Sequence, residues 1–223
     1  MPVMSGNVVY DKLAIKPPVT LRMQLLKSAI AGAKSYVGTT CDTRTIDNVR
    51  WGLEVHVCKE GESDCTTAYH ALSIVFSSDR SNNRWLVWVY VESYFVSPPA
   101  TFIHEAFKFG QETDVTIDVT FRDSTIVVTF NGKEILNTDT LKKFEQIRML
   151  RSANYFYDLQ GAAVPGVADQ YLVYNLQVIQ ATTFDVSGLL NAIIPMAVAL
   201  AVVSIVISLF RTGMLRIPIP KPT

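Results

Sequence analysis

Three histidines, three cysteines and a loose set of acidic residues are the groups in this sequence best suited to catalysis or metal binding. His56, His70 and His104 fall in no HExxH, HxH or Cys/His zinc pattern. His104-Glu105 begins like the first of these, but position 108 is Lys108, so the second ligand is missing. His56 and His70 lie in two segments that read as strands, where they can approach one another across a pair. Asp114 and Asp118 share one face of a third such segment, with Asp123 close behind. Paired carboxylates can hold Ca²⁺ or serve glycoside hydrolysis. The same residues alternate with Val115, Ile117 and Val119, which is also the pattern of a solvated strand face. No GxSxG elbow and no phosphate-binding glycine loop occurs. The expectation is therefore no enzyme, no metal and no cofactor.

Cys41, Cys58 and Cys65 cluster in sequence. Cys58 and Cys65 flank KEGESD, a hairpin-like loop, and read equally as a disulfide or as free thiols. Three cysteines are too few for a disulfide scaffold. Trp85, Trp88, Tyr90, Tyr94 and Phe95 form an aromatic run whose rings suit a protein interface, a core or the face of a sugar.

The elements that must carry these residues are mostly strands. Val49, Trp51, Leu53, Val55 and Val57 alternate with polar or small partners over 48–58. Segments 69–76, 85–95, 114–121, 125–130, 133–137 and 171–182 read likewise, and 8–15 reads as a first strand. Asn131-Gly132 is the favoured pair for a two-residue hairpin turn. Helix signals are confined to 19–33, with Leu21, Leu25, Leu26 and Ile30 at helical spacing, and to a short stretch after Thr138 or Asp139 with Leu141, Phe144 and Ile147. The body of the chain, 1–184, is expected to be all-β: an antiparallel two-sheet sandwich of the jelly-roll type. Its main strands occupy 47–184, and 1–46 is an N-terminal segment of uncertain structure.

Composition limits the remaining choices. The 223 residues carry 20 basic and 20 acidic side chains, 49% hydrophobic residues and a mean hydropathy of +0.23. Disorder and low complexity are excluded. A net charge of 0 gives no support to specific nucleic-acid binding.

Residues 186–210 hold no charged side chain. A bilayer core needs about 20 apolar residues. Leu189, Leu190, Ile193, Ile194, Met196, Val198, Leu200, Val202, Val203, Ile205, Val206, Ile207, Leu209 and Phe210 supply the apolar surface, so 185–210 is expected to be a single C-terminal transmembrane helix. The tail 211–223 is basic and proline-rich, with Arg211, Arg216 and Lys221. Removing those three cations leaves 17 basic against 20 acidic residues, so the body has a net charge of about −3. The positive-inside rule puts the tail on the cytoplasmic or interior side. The first 20 residues lack the continuous apolar region of a signal peptide. A tail-anchored protein with a cytoplasmic body meets these constraints in part. A virus with an internal membrane, assembled in the host cytoplasm, meets all of them.

Two resemblances follow. IDVTFRDSTIVVTFNGKEIL, residues 117–136, and YNLQVI, 174–179, resemble the back-sheet hairpin and returning strand of concanavalin-like and laminin-G-like sandwiches. The catalytic carboxylate motif of glycosidases with that fold has no counterpart here. The whole layout resembles a vertex protein of the archaeal turreted icosahedral viruses. That resemblance implies a non-enzymatic penton-base or turret component of the virion. It would be a homo-pentamer at the capsid vertex, contacting other capsid and turret proteins and anchored in the internal lipid membrane. The alternative is a membrane-anchored carbohydrate-binding module of a cell surface, for which Trp85, Trp88, Tyr90 and Tyr94 would supply the platform.

Overall fold

The computed structural model describes residues 3–5, 8–58, 68–93, 95–164 and 169–180. In chain order its elements are β1 (Val3–Ser5), β2 (Val9–Tyr10), β3 (Val19–Leu25), α1 (Lys27–Lys34), β4 (Thr40–Cys41), β5 (Arg44–Val57), β6 (Tyr69–Asp79), β7 (Arg84–Val91), β8 (Ala100–Lys108), β9 (Val115–Arg122), β10 (Thr125–Phe130), β11 (Lys133–Asp139), β12 (Ile147–Ser152), β13 (Tyr155–Asp158) and β14 (Val173–Gln180). They form two antiparallel sheets. One is six-stranded, in the order β1-β14-β3-β9-β10-β11. The other is eight-stranded, running β2-β12-β5-β6-β7-β8, with β13 and β4 also paired to β5.

The expected sandwich is therefore present, and its core is built by alternation. Val19, Leu21, Met23 and Leu25 of β3, Val115, Ile117, Val119 and Phe121 of β9, and Val49, Trp51, Leu53, Val55 and Val57 of β5 are all buried. Side chains on a strand point to opposite faces in turn, so one residue set fills the core and the other faces out. Trp51, Phe76 and Trp85 form an aromatic cluster in the core, with ring centroids 5.2–5.8 Å apart. The two indoles are anchored by hydrogen bonds. Trp51 Nε1 donates to the Tyr171 carbonyl at 3.1 Å, and Trp85 Nε1 donates to Glu112 Oε1 at 3.1 Å. The Asn131-Gly132 turn joins β10 to β11 with both residues at positive φ, 47° and 80°.

Two helix expectations are corrected. Residues 19–25 are a strand, and only Lys27–Lys34 is helical. Leu21 and Leu25 stand four apart, an even number, so the spacing that suits a helix also places both on one face of a strand. Residues 140–146, just beyond Asp139, hold no helix. Phe144 is buried, packing its ring against Phe95 at 4.7 Å and Phe121 at 5.1 Å, and Ile147 opens β12.

Among the described residues no helix is long and apolar enough to cross a membrane. The expected span 185–210, with its apolar residues, and the cations Arg211, Arg216 and Lys221 lie outside the described residues.

Candidate functional site

The outward residues of β5, β6, β7 and β8 share a face, and the ladder register fixes which of them are neighbours. Arg50 pairs with Ser77, Gly52 with Val75 and Glu54 with Ser73. Val75 pairs in turn with Trp88, and Ser73 with Tyr90. Trp88 pairs with Ile103 and Tyr90 with Thr101. On the far side of β5, Tyr155 pairs with Arg50 and Tyr157 with Asn48. Part of this face forms a groove of about 530 Å³, lined by Asn48, Arg50, Ser73, Trp88, Tyr90 and Tyr157 among others.

Trp88 is the unusual member. The other two tryptophans are fully buried, whereas Trp88 is 37% exposed at the centre of a strand. Val75 and Ile103 flank it, so the ring lies on an apolar patch rimmed by hydroxyl, amide and guanidinium groups. Such a mixture, mostly apolar with a few placed polar groups, is the usual make-up of a small-molecule site.

Arg50 sits on the β5 side of this groove. Its Nε is buried and has no hydrogen-bond partner. Its Nη1 reaches Tyr157 Oη only at 3.5 Å, the outer limit of a hydrogen bond. Gly52 makes room for it. A Cβ at position 52 would lie 3.2 Å from Arg50 Nε and 2.8 Å from the Ala153 carbonyl oxygen. The Gly52 backbone is held from both sides: its N–H donates to Asn154 Oδ1 at 3.2 Å, and its carbonyl accepts from the Tyr174 hydroxyl at 3.0 Å.

Farther along the same face runs an ionisable row. A register shift after Val55 sets His56 opposite His70, with ring centroids 5.2 Å apart. His70 Nδ1 stands 2.9 Å from Glu92 Oε1, and its Nε2 stands 2.8 Å from Ser73 Oγ. The carboxylate accepts, so Nδ1 carries the proton, and in the neutral ring Nε2 accepts from the Ser73 hydroxyl. His70 also stacks on Tyr90 at 6.3 Å. His56 Nε2 is buried without a hydrogen bond, its nearest carboxylate oxygen, on Glu54, being 3.9 Å away. Burial, reinforced by His70, pushes the His56 imidazole below its usual range, with Glu54 opposing.

The other chemically suggestive residues do not converge. Asp118 is taken by Arg22 in a two-pronged pair at 2.7 and 2.8 Å. Asp114 accepts from the Lys27 backbone N–H at 2.7 Å, at the start of α1. His104 turns toward Phe130, ring centroids 5.7 Å apart. Among the described residues, no three of His, Cys, Asp and Glu stand together as a metal would need. Cys58 is disulfide-bonded and Cys41 is a free thiol. Cys65 lies outside the described residues.

The aromatic run is divided by the pleat. Trp85 belongs to the core and cannot meet a ligand, which corrects its place in the expected platform. Trp88 and Tyr90, two residues apart, both face the groove. Tyr94 lies outside the described residues. Asn48, Arg50, Ser73, Ser77 and Tyr157 were not singled out from sequence. Their only sequence signal was their place as the polar alternates of strands whose apolar set makes the core.

No family model matches the sequence, and no curated protein matches it. Solved structures it is similar to include galectins and an agglutinin. The toad ovary galectin in complex with thio-digalactose is 12% identical, with a TM-score of 0.41 over 78% of this chain and 98% of its own. Sheep galectin-11 in complex with glycerol is 9% identical, with a TM-score of 0.43 over 79% of this chain and 99% of its own. CG-16, a homodimeric agglutinin from chicken liver, is 15% identical, with a TM-score of 0.41 over 77% of this chain and 98% of its own. Likeness at this level does not say what this chain binds. None of it links the chain to a viral vertex protein, and the expectation of a penton or turret component finds no support.

Proposed function

We propose that this chain is a non-enzymatic carbohydrate-binding module whose ligand lies across β5–β8 with a sugar ring on Trp88. The observation that carries the reading is the exposure of Trp88 at mid-strand, where alternation alone explains its outward direction but not its size. A tryptophan facing out from the middle of a strand leaves a large apolar ring open to solvent. A pyranose offers a matching apolar face, and its hydroxyls suit the surrounding donors and acceptors. Ser73, Ser77, Asn48, Tyr90 and Tyr157 supply both kinds of group within one groove.

The test is a glycan array probed with the full chain in detergent, followed by calorimetric titration of any hit. Saturable binding that Trp88→Ala reduces by about tenfold or more, as expected for loss of a buried aromatic contact, supports the reading. Saturable binding that Trp88→Ala leaves unchanged would remove the groove as the site.

A further inference from the structure

We propose that the saccharide carries an oxyanion, a carboxylate or a sulfate ester, and that Arg50 receives it while Trp88 receives the ring. This rests on the carbohydrate reading above and narrows it to acidic sugars.

Arg50 differs from its neighbours. Arg22, Arg44, Arg80, Arg84 and Arg151 each stand within 3.8 Å of a carboxylate oxygen. Among the described residues Arg50, Arg122 and Arg148 have no such partner, and of these three Arg50 is the one with a buried nitrogen that makes no hydrogen bond. The acids nearest to it in the sequence and on the sheet are engaged: Glu54 by Arg151 and His56, Asp47 by Arg80, and Asp79 by Arg84. Among the described residues no Asp or Glu lines the groove. A guanidinium can donate through a planar fork that matches a carboxylate or sulfate edge. Here the buried Nε is unused and Nη1 has only one long contact. An unpaired buried donor is costly, and more so when charged. An arriving oxyanion would pair with the guanidinium charge from the groove that Arg50 lines.

The absence of a side chain at Gly52 leaves the space beside Arg50 Nε, where a Cβ would stand 3.2 Å away, and the Gly52 backbone is itself fixed by Asn154 and Tyr174. Arg50 and Trp88 are separated by the single strand β6. That places their backbones roughly 10 Å apart in the hydrogen-bonding direction, a distance two long side chains on one face can bridge through a shared ligand.

The experiment compares three matched probes with the full chain: trigalacturonate, its methyl ester and galactotriose. A printed array of neutral, carboxylated and sulfated glycans runs beside them. Arg50→Gln, Arg50→Lys and Trp88→Ala are measured in parallel, each checked by circular dichroism and thermal melting. The expected result is binding confined to oxyanion-bearing glycans on the array and to the free acid wherever a matched pair binds. Arg50→Gln should lower it by about tenfold or more and Arg50→Lys should recover only part of it, because lysine keeps the charge but loses the fork. Binding should weaken with salt. Neutral and acidic glycans binding equally, with Arg50→Gln without effect and Trp88→Ala harmful, would overturn the oxyanion while leaving the sugar reading intact. Acidic binding that Trp88→Ala does not touch and inorganic sulfate displaces would overturn the sugar reading and leave an anion site. No glycan bound in any arm would overturn both.

Discussion

The hydroxyl of Tyr174 on β14 donates to the carbonyl of Gly52 on β5 at 3.0 Å, joining the two sheets through the core under the groove. Tyr174 is 2% exposed, so the bond is made where water does not compete. Tyr174→Phe is expected to lower the unfolding free energy by about 1 kcal/mol, the usual net contribution of one hydrogen bond, in urea titrations at neutral pH. Burial also raises the phenol far above its ordinary value of 10.0. The stability tied to the protonated hydroxyl is fully present below that value and is lost as pH rises beyond it, because only the unfolded chain then ionises. Alkaline melting curves should be less pH-dependent in the phenylalanine variant.

Gly52→Ala is expected to be worse than Tyr174→Phe. The added methyl would meet the Ala153 carbonyl at 2.8 Å, a backbone atom that cannot swing aside. The cost should be about 1–3 kcal/mol, typical of overpacking. The methyl also presses on Arg50 Nε, so affinity for a groove ligand should fall with stability. Arg50→Gln, by contrast, removes an unpaired buried donor and should weaken binding without lowering stability.

Trp85 and Trp88 should behave oppositely. Trp85→Ala empties a core position and leaves Glu112 without its indole donor. About 3–5 kcal/mol should be lost in denaturant titrations. Trp88→Ala removes a ring already 37% exposed, so stability should change far less while binding is lost. Paired thermal melts and calorimetric titrations distinguish the two.

His56 predicts a loss of stability on mild acidification. Its folded imidazole titrates below the ordinary value of 6.5. The contribution of the neutral ring is therefore fully present above 6.5 and declines as pH falls toward the folded value, since the unfolded chain takes up the proton first. Below the folded value both states are protonated and the loss levels off. His56→Gln should flatten this part of the pH–stability profile, measured by thermal melting between about pH 5 and 8.

Strands with one face in the core were legible in the sequence. Val115-Thr-Ile-Asp-Val-Thr-Phe and the Asn131-Gly132 turn announce β9, β10 and β11, because burial on one side alone enforces a period of two. β8 was missed for the converse reason. It is the outer strand of its sheet, and Thr101, Phe102, Ile103 and Glu105 are all exposed, so no face needs to be apolar. β12 was overwritten by a helical reading of Leu141, Phe144 and Ile147. The approach of His56 to His70 was visible from their strands. The groove was not, because it depends on which strands are neighbours. Asn48 and Tyr157 are 109 positions apart in the chain and become a pair only through the β5–β13 ladder.

The pairing of β1 with β14 makes the sandwich nearly a closed circuit in sequence. Val3 faces Asn175, which is five positions before Gln180, the last residue of β14. At roughly 3.3 Å per residue, the two points are about 17 Å apart along one sheet edge. A flexible linker of about eight residues could join them. New chain ends could then be opened at the exposed Asn131-Gly132 turn without cutting a strand. Such a circular permutant would keep every ladder of both sheets while moving the start of the polypeptide to the other side of the fold. The order in which the strands are synthesised is thus separable from the groove they build.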